Sequence, residues 1–218
     1  IYLSRLLHSF FAEDEAFIRA FKGNSAAKTV HHGFIGGLLE HTLSVVKLCS
    51  YYCSTYPILN EDLLITAAML HDIGKIGIPD RILNKPERLT DEEYKEMKSH
   101  VVKGGEILKS FTLIDNIEEG ALYHHERYDG KGYVHGLKGE EIPLNARIIG
   151  IADAFDAMTA NRVYRKKLDM DFVLGELKKG RGTQFDPQLT DIMLHLIETG
   201  QIDMQRLYDN ANVKEEEE

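Results

Sequence analysis

Seven side chains in this 218-residue chain pair metal-binding chemistry with an apolar setting: His41, His71, Asp72, His100, His124, His125 and Asp153. His71 and Asp72 close the run "LLITAAML", a helical stretch apolar on every side, where two polar groups need partners. His124 and His125 end another helical stretch, His100 lies in "EMKSHVV", and His41 lies in "LLEHTLSVV". Asp153 sits in "ARIIGIADAFDAMTA", which has no polar face, so its ionised carboxylate costs several kcal/mol unless paired or bound to a metal. Each residue also has an ordinary reading, as a hydrogen-bonded core histidine or a capping carboxylate. Their joint placement favours a metal. Neighbouring helical residues point about 100° apart, so His71 can hold one ion while Asp72 reaches toward a second. Imidazole and carboxylate without thiolate suit iron, manganese or zinc in an open hydrolytic site. Cys49 and Cys53, four apart on one helix face, read as small core hydrophobes rather than ligands.

The elements around these residues read as helices, and the fold class is all-α. Thr90 followed by Glu93 is a capping-box pattern opening one helix through "TDEEYKEMKSHVVKGGEIL". Asp186 as N-cap, Pro187 at the first helical position and Gly200 past the end bound another. Asn60 starts "EDLLITAAML", Asp169 or Asp171 starts "FVLGELKKG", and Gly180 stops it. Residues 127–143, rich in glycine, read as an ordered loop lying over something.

The chain is long enough for one domain with small extensions, divided as an N-terminal helical extension (1–30), a catalytic domain (31–200) and a C-terminal extension with an acidic tail (201–218). A net charge of −9, four of it from Glu215 to Glu218, argues against long nucleic acid as a partner and leaves a small phosphate-bearing ligand compatible. No apolar run reaches the roughly 18 residues of a membrane span, nothing marks a signal peptide, and a cytoplasmic location is the default expectation.

From about residue 64 to 198 the chain resembles the HD superfamily of metal-dependent phosphohydrolases, and within it the HD-GYP cyclic di-GMP phosphodiesterases. The resemblance rests on "HDIGKIGIPDRILNKPERLTDEEYKEMKSH", "HHERYDGKGYVHGLKGEEIPLNARIIGIADAFDAMTANRVYR" and "GTQFDP", in that order. It implies an HD-domain helical bundle with the metal centre in its core and His41, His71, Asp72, His100, His124, His125 and Asp153 as ligands. It also implies Lys75 as the cation beside the scissile phosphate, and Arg162 with Arg165 on the nucleotide's phosphates. The chain departs from the family at Gly132-Tyr133-Val134, where the name-giving proline is replaced by valine and the residue that fixes φ is lost. Residues 1–63, with His31 and His32 as supporting groups, look closer to the HD domain of a bacterial 3'-5' exoribonuclease family. In branches holding three ions a glutamate stands four before the first ligand histidine. Gly37 occupies that position here, and Glu40 points elsewhere on the helix.

The implied activity is hydrolysis of cyclic di-GMP to the linear dinucleotide pGpG by a hydroxide bridging two divalent ions. Iron or manganese leads, with zinc, magnesium, nickel or cobalt as alternatives. Asp72 is the bridging candidate, and Lys75 lies near the charge developing on the phosphoryl oxygens. Arg162, Arg165, Lys166 and Lys167 form a local basic patch, while Tyr133 either stacks on a base or pins its loop. An exoribonuclease or nucleotide phosphohydrolase is the second reading, and a non-catalytic nucleotide-binding signalling module the third. A homodimer, or fusion to a sensor or receiver domain, fits such a signal-transduction role.

Overall fold

Local signals set most helix ends. In the computed structural model, which describes residues 2–24, 37–112, 114–159, 170–202 and 207, α1 (Tyr2–His8) and α2 (Glu15–Gly23) flank a π-helical turn and precede α3 (Gly37–Thr55) and α4 (Glu61–Leu70). A 3-10 segment (Ile73–Gly77) and α5 (Asp80–Leu83) lead to α6 (Asp91–Lys98), α7 (His100–Lys109) and α8 (Glu119–Tyr123). Beyond the glycine-rich loop come α9 (Leu144–Thr159), α10 (Met170–Gly180) and α11 (Pro187–Glu198). Among the described residues there is no strand, only an isolated bridge between Arg181 and Phe185. The all-α reading therefore holds. None of the described helices is long and apolar enough to cross a membrane.

Asn60 accepts from the Leu63 N–H, Thr90 and Glu93 form the capping box, and Asp186 accepts from Gln188 and Leu189 behind Pro187. Gly200 takes the left-handed conformation, with φ 67°, just beyond α11. Asp171 lies inside the first turn of α10, and Asp169 lies outside the described residues. One boundary differs from expectation: the stretch from Thr90 is two helices, divided at Ser99. The Ser99 hydroxyl donates to the Glu96 carbonyl at 2.6 Å, a side-chain bond that competes with the backbone ladder and ends α6. That break frees His100 to open α7.

The core is built on α3, α4 and α9. Val45, Leu48, Cys49 and Tyr52 meet Leu64, Ala67, Ala68 and Leu70, with Ile148, Ile149, Ile151 and Phe155 closing the layer. Leu6 joins the same cluster from α1, and the Phe10 ring of the π-helical turn lies 5.4 Å from that of Phe111. Glycines allow the elements carrying polar residues to approach closely. A Cβ on Gly74 would lie 1.9 Å from the His100 carbonyl oxygen and 2.6 Å from the Gly104 nitrogen, so the 3-10 segment rests directly on the backbone of α7. On α9, a Cβ at Gly150 would fall 2.6 Å from the His124 carbonyl oxygen. Each contact sets a histidine against a neighbouring element that carries another polar residue, Lys75 on the 3-10 segment and Asp153 on α9.

Gly74→Ala is therefore expected to cost about 2–3 kcal/mol in denaturant unfolding, because backbone must move to admit the methyl group. Gly175→Ala, in α10 where nothing lies within 4 Å of the added carbon, is expected to gain about 0.5–1 kcal/mol. An unchanged midpoint for Gly74→Ala would contradict the close approach of the two elements.

Candidate metal centre

Four histidines are held by the same device, a bond from Nδ1 that leaves Nε2 aimed inward. His71 Nδ1 donates to the Ala68 carbonyl at 2.7 Å, and His100 Nδ1 donates to that of Met97 at 2.7 Å. His124 Nδ1 is shared between the carbonyls of Gly120 and Ala121 at 2.9 and 3.0 Å. These anchors lie three or four residues back in the chain, so each helix end orients its own imidazole. His41 sits mid-helix, where the carbonyls are already taken, and its Nδ1 meets the Asp156 carboxylate of α9 at 2.7 Å. With Nδ1 donating, Nε2 is left as a lone pair able to take a cation.

The Asp72 carboxylate stands between two groups of these imidazoles. Its Oδ2 lies 3.4 Å from His41 Nε2, 3.4 Å from His71 Nε2 and 2.5 Å from the Lys75 ammonium. Its Oδ1 faces the other way, 3.4 Å from His100 Nε2 and 3.9 Å from His124 Nε2. Asp153 spans the same two groups from α9, with Oδ1 3.3 Å from His41 Nε2 and Oδ2 4.0 Å from His125 Nδ1. His41 and His71 bring their Nε2 atoms within 3.3 Å. The structure thus gathers all seven side chains expected to lie together. Asp153, 14% exposed in its side chain, and His125, 27%, form the open edge, while the others are buried.

This donor set fits divalent cations. Ligand atoms each about 2.1 Å from one ion, at tetrahedral or octahedral angles, stand roughly 3.0–3.4 Å apart. The 3.3–3.4 Å separations around Asp72 Oδ2 match that spacing. Asp72 Oδ1, His100 Nε2 and His124 Nε2 are buried and have no hydrogen-bond partner among the described residues, a costly arrangement for protein groups alone. Ligand atoms of His100, His124 and His125 converge within 4.8 Å, as do those of His41, His71 and Asp153.

Burial opposes charge on Asp72, but Lys75, His71, His41 and His100 outweigh it and hold the carboxyl well below the usual range. Burial pushes His100 and His124 down to about 4, and lowers His71 and His125 as well, which keeps these imidazoles in the neutral, ligating form. His41 is the exception. Burial pulls its pKa down, yet Asp153, Asp156 and Asp72 raise it well above the ordinary imidazole value, so a cation bound there takes the place of a proton.

Lys75 is buried and tied to Asp72 rather than facing solvent. The glycine-rich loop does lie over something: it packs the Tyr133 ring against His125, with centroids 4.9 Å apart. The loop is pinned by Glu126, whose Oε1 accepts from the N–H groups of His135 and Gly136, and at Gly132, where a Cβ would come within 2.4 Å of the Arg127 nitrogen. A cavity of about 320 Å³ opens beside it, lined by His125, Asp153, Tyr94, Tyr133 and Arg147. Cys49 and Cys53 are free thiols away from the histidines, and burial raises both pKa values. His31, His32, Arg162, Arg165, Lys166 and Lys167 lie outside the described residues. Asp156 and Glu126 are the functional side chains that sequence reasoning missed. Asp156, fully buried three residues after Asp153, had a visible signal as a second carboxylate in an apolar helix.

A family model for the HD domain matches residues 25–189, unbroken across the point near residue 63 where the resemblance changes character. A probable cyclic di-GMP phosphodiesterase of Vibrio cholerae is 42% identical over 141 residues, 61% of this chain and 32% of that protein. The cyclic di-GMP phosphodiesterase response regulator RpfG of Xanthomonas campestris is 50% identical over 131 residues, 59% of this chain and 34% of that protein. The chain thus spans about a third of the length of these relatives. Among solved structures, the HDG"Y"P protein Bd1817 of Bdellovibrio bacteriovorus shares the fold, with a TM-score of 0.60 at 17% identity over 90% of this chain and 60% of that one.

Asp156→Ala removes the carboxylate that anchors His41 Nδ1 and is expected to weaken cation uptake about 10–100-fold in a chelator competition, with helical circular dichroism retained. Native affinity in that variant would show that His41 needs no support from α9.

Proposed function

Because the chain belongs to the HD domain family, we propose that its histidine and aspartate cluster is the catalytic centre of a metal-dependent phosphodiesterase that opens cyclic di-GMP to linear pGpG. One observation carries this reading: a buried carboxylate, Asp72, presents one oxygen to His41 and His71 and the other to His100 and His124. The naming of the relatives as cyclic di-GMP phosphodiesterases supports the substrate.

In this reading His41, His71 and Asp153 would hold one divalent ion, His100, His124 and His125 would hold another, and Asp72 would serve both. The nitrogen and oxygen donors, without thiolate, suit iron, manganese or zinc, and iron or manganese leads, with zinc, magnesium, nickel or cobalt as alternatives. Two such ions supply Lewis acidity to the phosphoryl group and lower the pKa of the attacking water. The remaining work belongs to the protein. Lys75, held 2.5 Å from Asp72 Oδ2 in a buried position, offers its ammonium to the charge that grows on the phosphoryl oxygens. Asp156 and the backbone carbonyls keep the imidazoles oriented, so little reorganisation accompanies the reaction. Tyr133, packed on His125, walls one side of the centre and steadies that imidazole. Arg162 and Arg165 grip phosphate oxygens in the bidentate manner of guanidinium groups. Gly37 at the start of α3 offers no side chain where a third ion needs a carboxylate, which fits two ions and release after the first cleavage.

Protein purified without chelator is expected to contain two transition-metal ions per chain and to convert cyclic di-GMP to pGpG in manganese or ferrous iron. Asp72→Ala is expected to lose both ions and at least a thousandfold in turnover. Arg162→Ala is expected to raise KM more than it lowers kcat. Metal analysis, chromatography of products and a parallel assay on short single-stranded RNA read these outcomes. Three tightly held ions with GMP as the main product would overturn the two-ion reading. Cleavage of RNA with cyclic di-GMP untouched would replace the substrate.

A further inference from the structure

The α6 helix buries none of its residues, yet it carries Tyr94, an aromatic side chain 51% exposed that lines the cavity beside the metal centre. One turn on, the Lys98 ammonium lies 4.7 Å from the centroid of the Tyr94 ring and 5.4 Å from that of Tyr133. Both distances fall within cation–π range. Among the described residues Lys98 has no carboxylate partner, so its charge is offset only by two ring faces. Tyr133 in turn rests on His125 at 4.9 Å. A line of groups therefore runs outward from a metal-centre histidine, through Tyr133 and Lys98, to the exposed face of Tyr94.

The two ends of this line differ in what they can do. Tyr133 spends one face on His125 and is fixed by the Glu126 bonds to its loop, so it is a wall. Tyr94 projects from a surface helix with half of its area open to solvent, which leaves a ring face available for a planar group. Lys98 lies against the Tyr133 and Tyr94 rings and, among the described residues, pairs with none of the clustered carboxylates, which leaves it for a phosphate other than the one at the metal centre.

Building on the reading above, we propose that Tyr94 and Lys98 form a substrate-binding bracket at the mouth of the site. Tyr94 stacks a purine base of the cyclic dinucleotide, and Lys98 holds the phosphodiester that is not being cut. A cyclic dinucleotide presents both groups together, whereas a simple phosphodiester presents neither. Base stacking on an aromatic ring and a lysine on a phosphate tolerate many sequences, so the bracket fixes position and leaves the choice of base to other groups.

Steady-state kinetics on the metal-loaded protein test this with Tyr94→Ala, Tyr94→Phe and Lys98→Met, using cyclic di-GMP and bis(p-nitrophenyl) phosphate. Tyr94→Ala and Lys98→Met are each expected to raise KM for cyclic di-GMP about tenfold while kcat stays within about threefold, as loss of one base stack or one phosphate contact implies. Tyr94→Phe keeps the ring and is expected to stay near the native KM. The small ester is expected to lose far less kcat/KM than cyclic di-GMP does. An unchanged KM for cyclic di-GMP, or an equal loss on both substrates, would overturn the bracket. Failure of the native protein to cleave cyclic di-GMP while it cleaves the small ester would count against the proposed function instead. GMP titrated by calorimetry then decides the bracket alone: weaker binding to Tyr94→Ala and Lys98→Met supports it, and binding to those two equal to native, or no binding to the native protein, ends it.

Discussion

A buried carboxylate that faces two sets of imidazoles is the constraint on which the rest of the structure depends. Asp72 is 2% exposed, and an ionised carboxylate at that depth is tolerable only when both oxygens are engaged. Lys75 engages Oδ2 and the surrounding histidines help hold the group ionised, while Oδ1 has no hydrogen-bond partner among the described residues and is left for a cation. Everything nearby serves the same geometry. The α4 helix ends so that His71 and Asp72 leave it in different directions, and the 3-10 segment carries Lys75 back onto Asp72. Close backbone contacts at Gly74 and Gly150 bring His100 and His124 to the far side.

Several of the clustered histidines and aspartates were legible because they broke a local rule. A His-Asp pair closing an apolar helix, or an Asp in one with no polar face, conflicts with burial unless a partner exists, and residue type named the partner's chemistry. The caps at Asn60, Thr90 and Asp186 were legible for a similar reason, since each is satisfied within a few residues of its own position. Asp156 was not. It lies three residues from Asp153 on the same helix and looks the same locally, but its partner His41 is 115 residues away. Sequence spacing cannot say which of two neighbouring carboxylates faces the imidazole from the site side and which from behind. The break at Ser99 was hidden too, because a serine in a helical pattern can either point to solvent or bond back to the preceding turn. Lys75 was assigned to the scissile phosphate by resemblance and by its place one turn on from Asp72, and its short bond to Asp72 appears only in three dimensions.

The division of labour between buried and exposed groups follows from electrostatics. The chain is acidic overall, which disfavours any polyanion approaching its mean field, so recognition of a phosphate-bearing molecule must rest on a few placed cations. Lys75 is committed inside the centre, while Lys98 lies against the Tyr94 and Tyr133 rings with no carboxylate partner among the described residues. The glycine-rich loop holds Tyr133 between the two. Valine in place of the family's proline leaves that loop ordered here, because Glu126 and the tight contact at Gly132 fix it from behind.

The central claim is that Asp72 joins two histidine groups into one dinuclear centre. Anomalous X-ray diffraction, recorded on either side of the iron and manganese absorption edges from crystals of protein purified without chelator, tests it most directly. The account predicts two anomalous peaks flanking the Asp72 carboxylate, one among His41, His71 and Asp153 and the other among His100, His124 and His125. A single peak, or none, with Asp72 bonded only to Lys75 and the imidazoles, would contradict it.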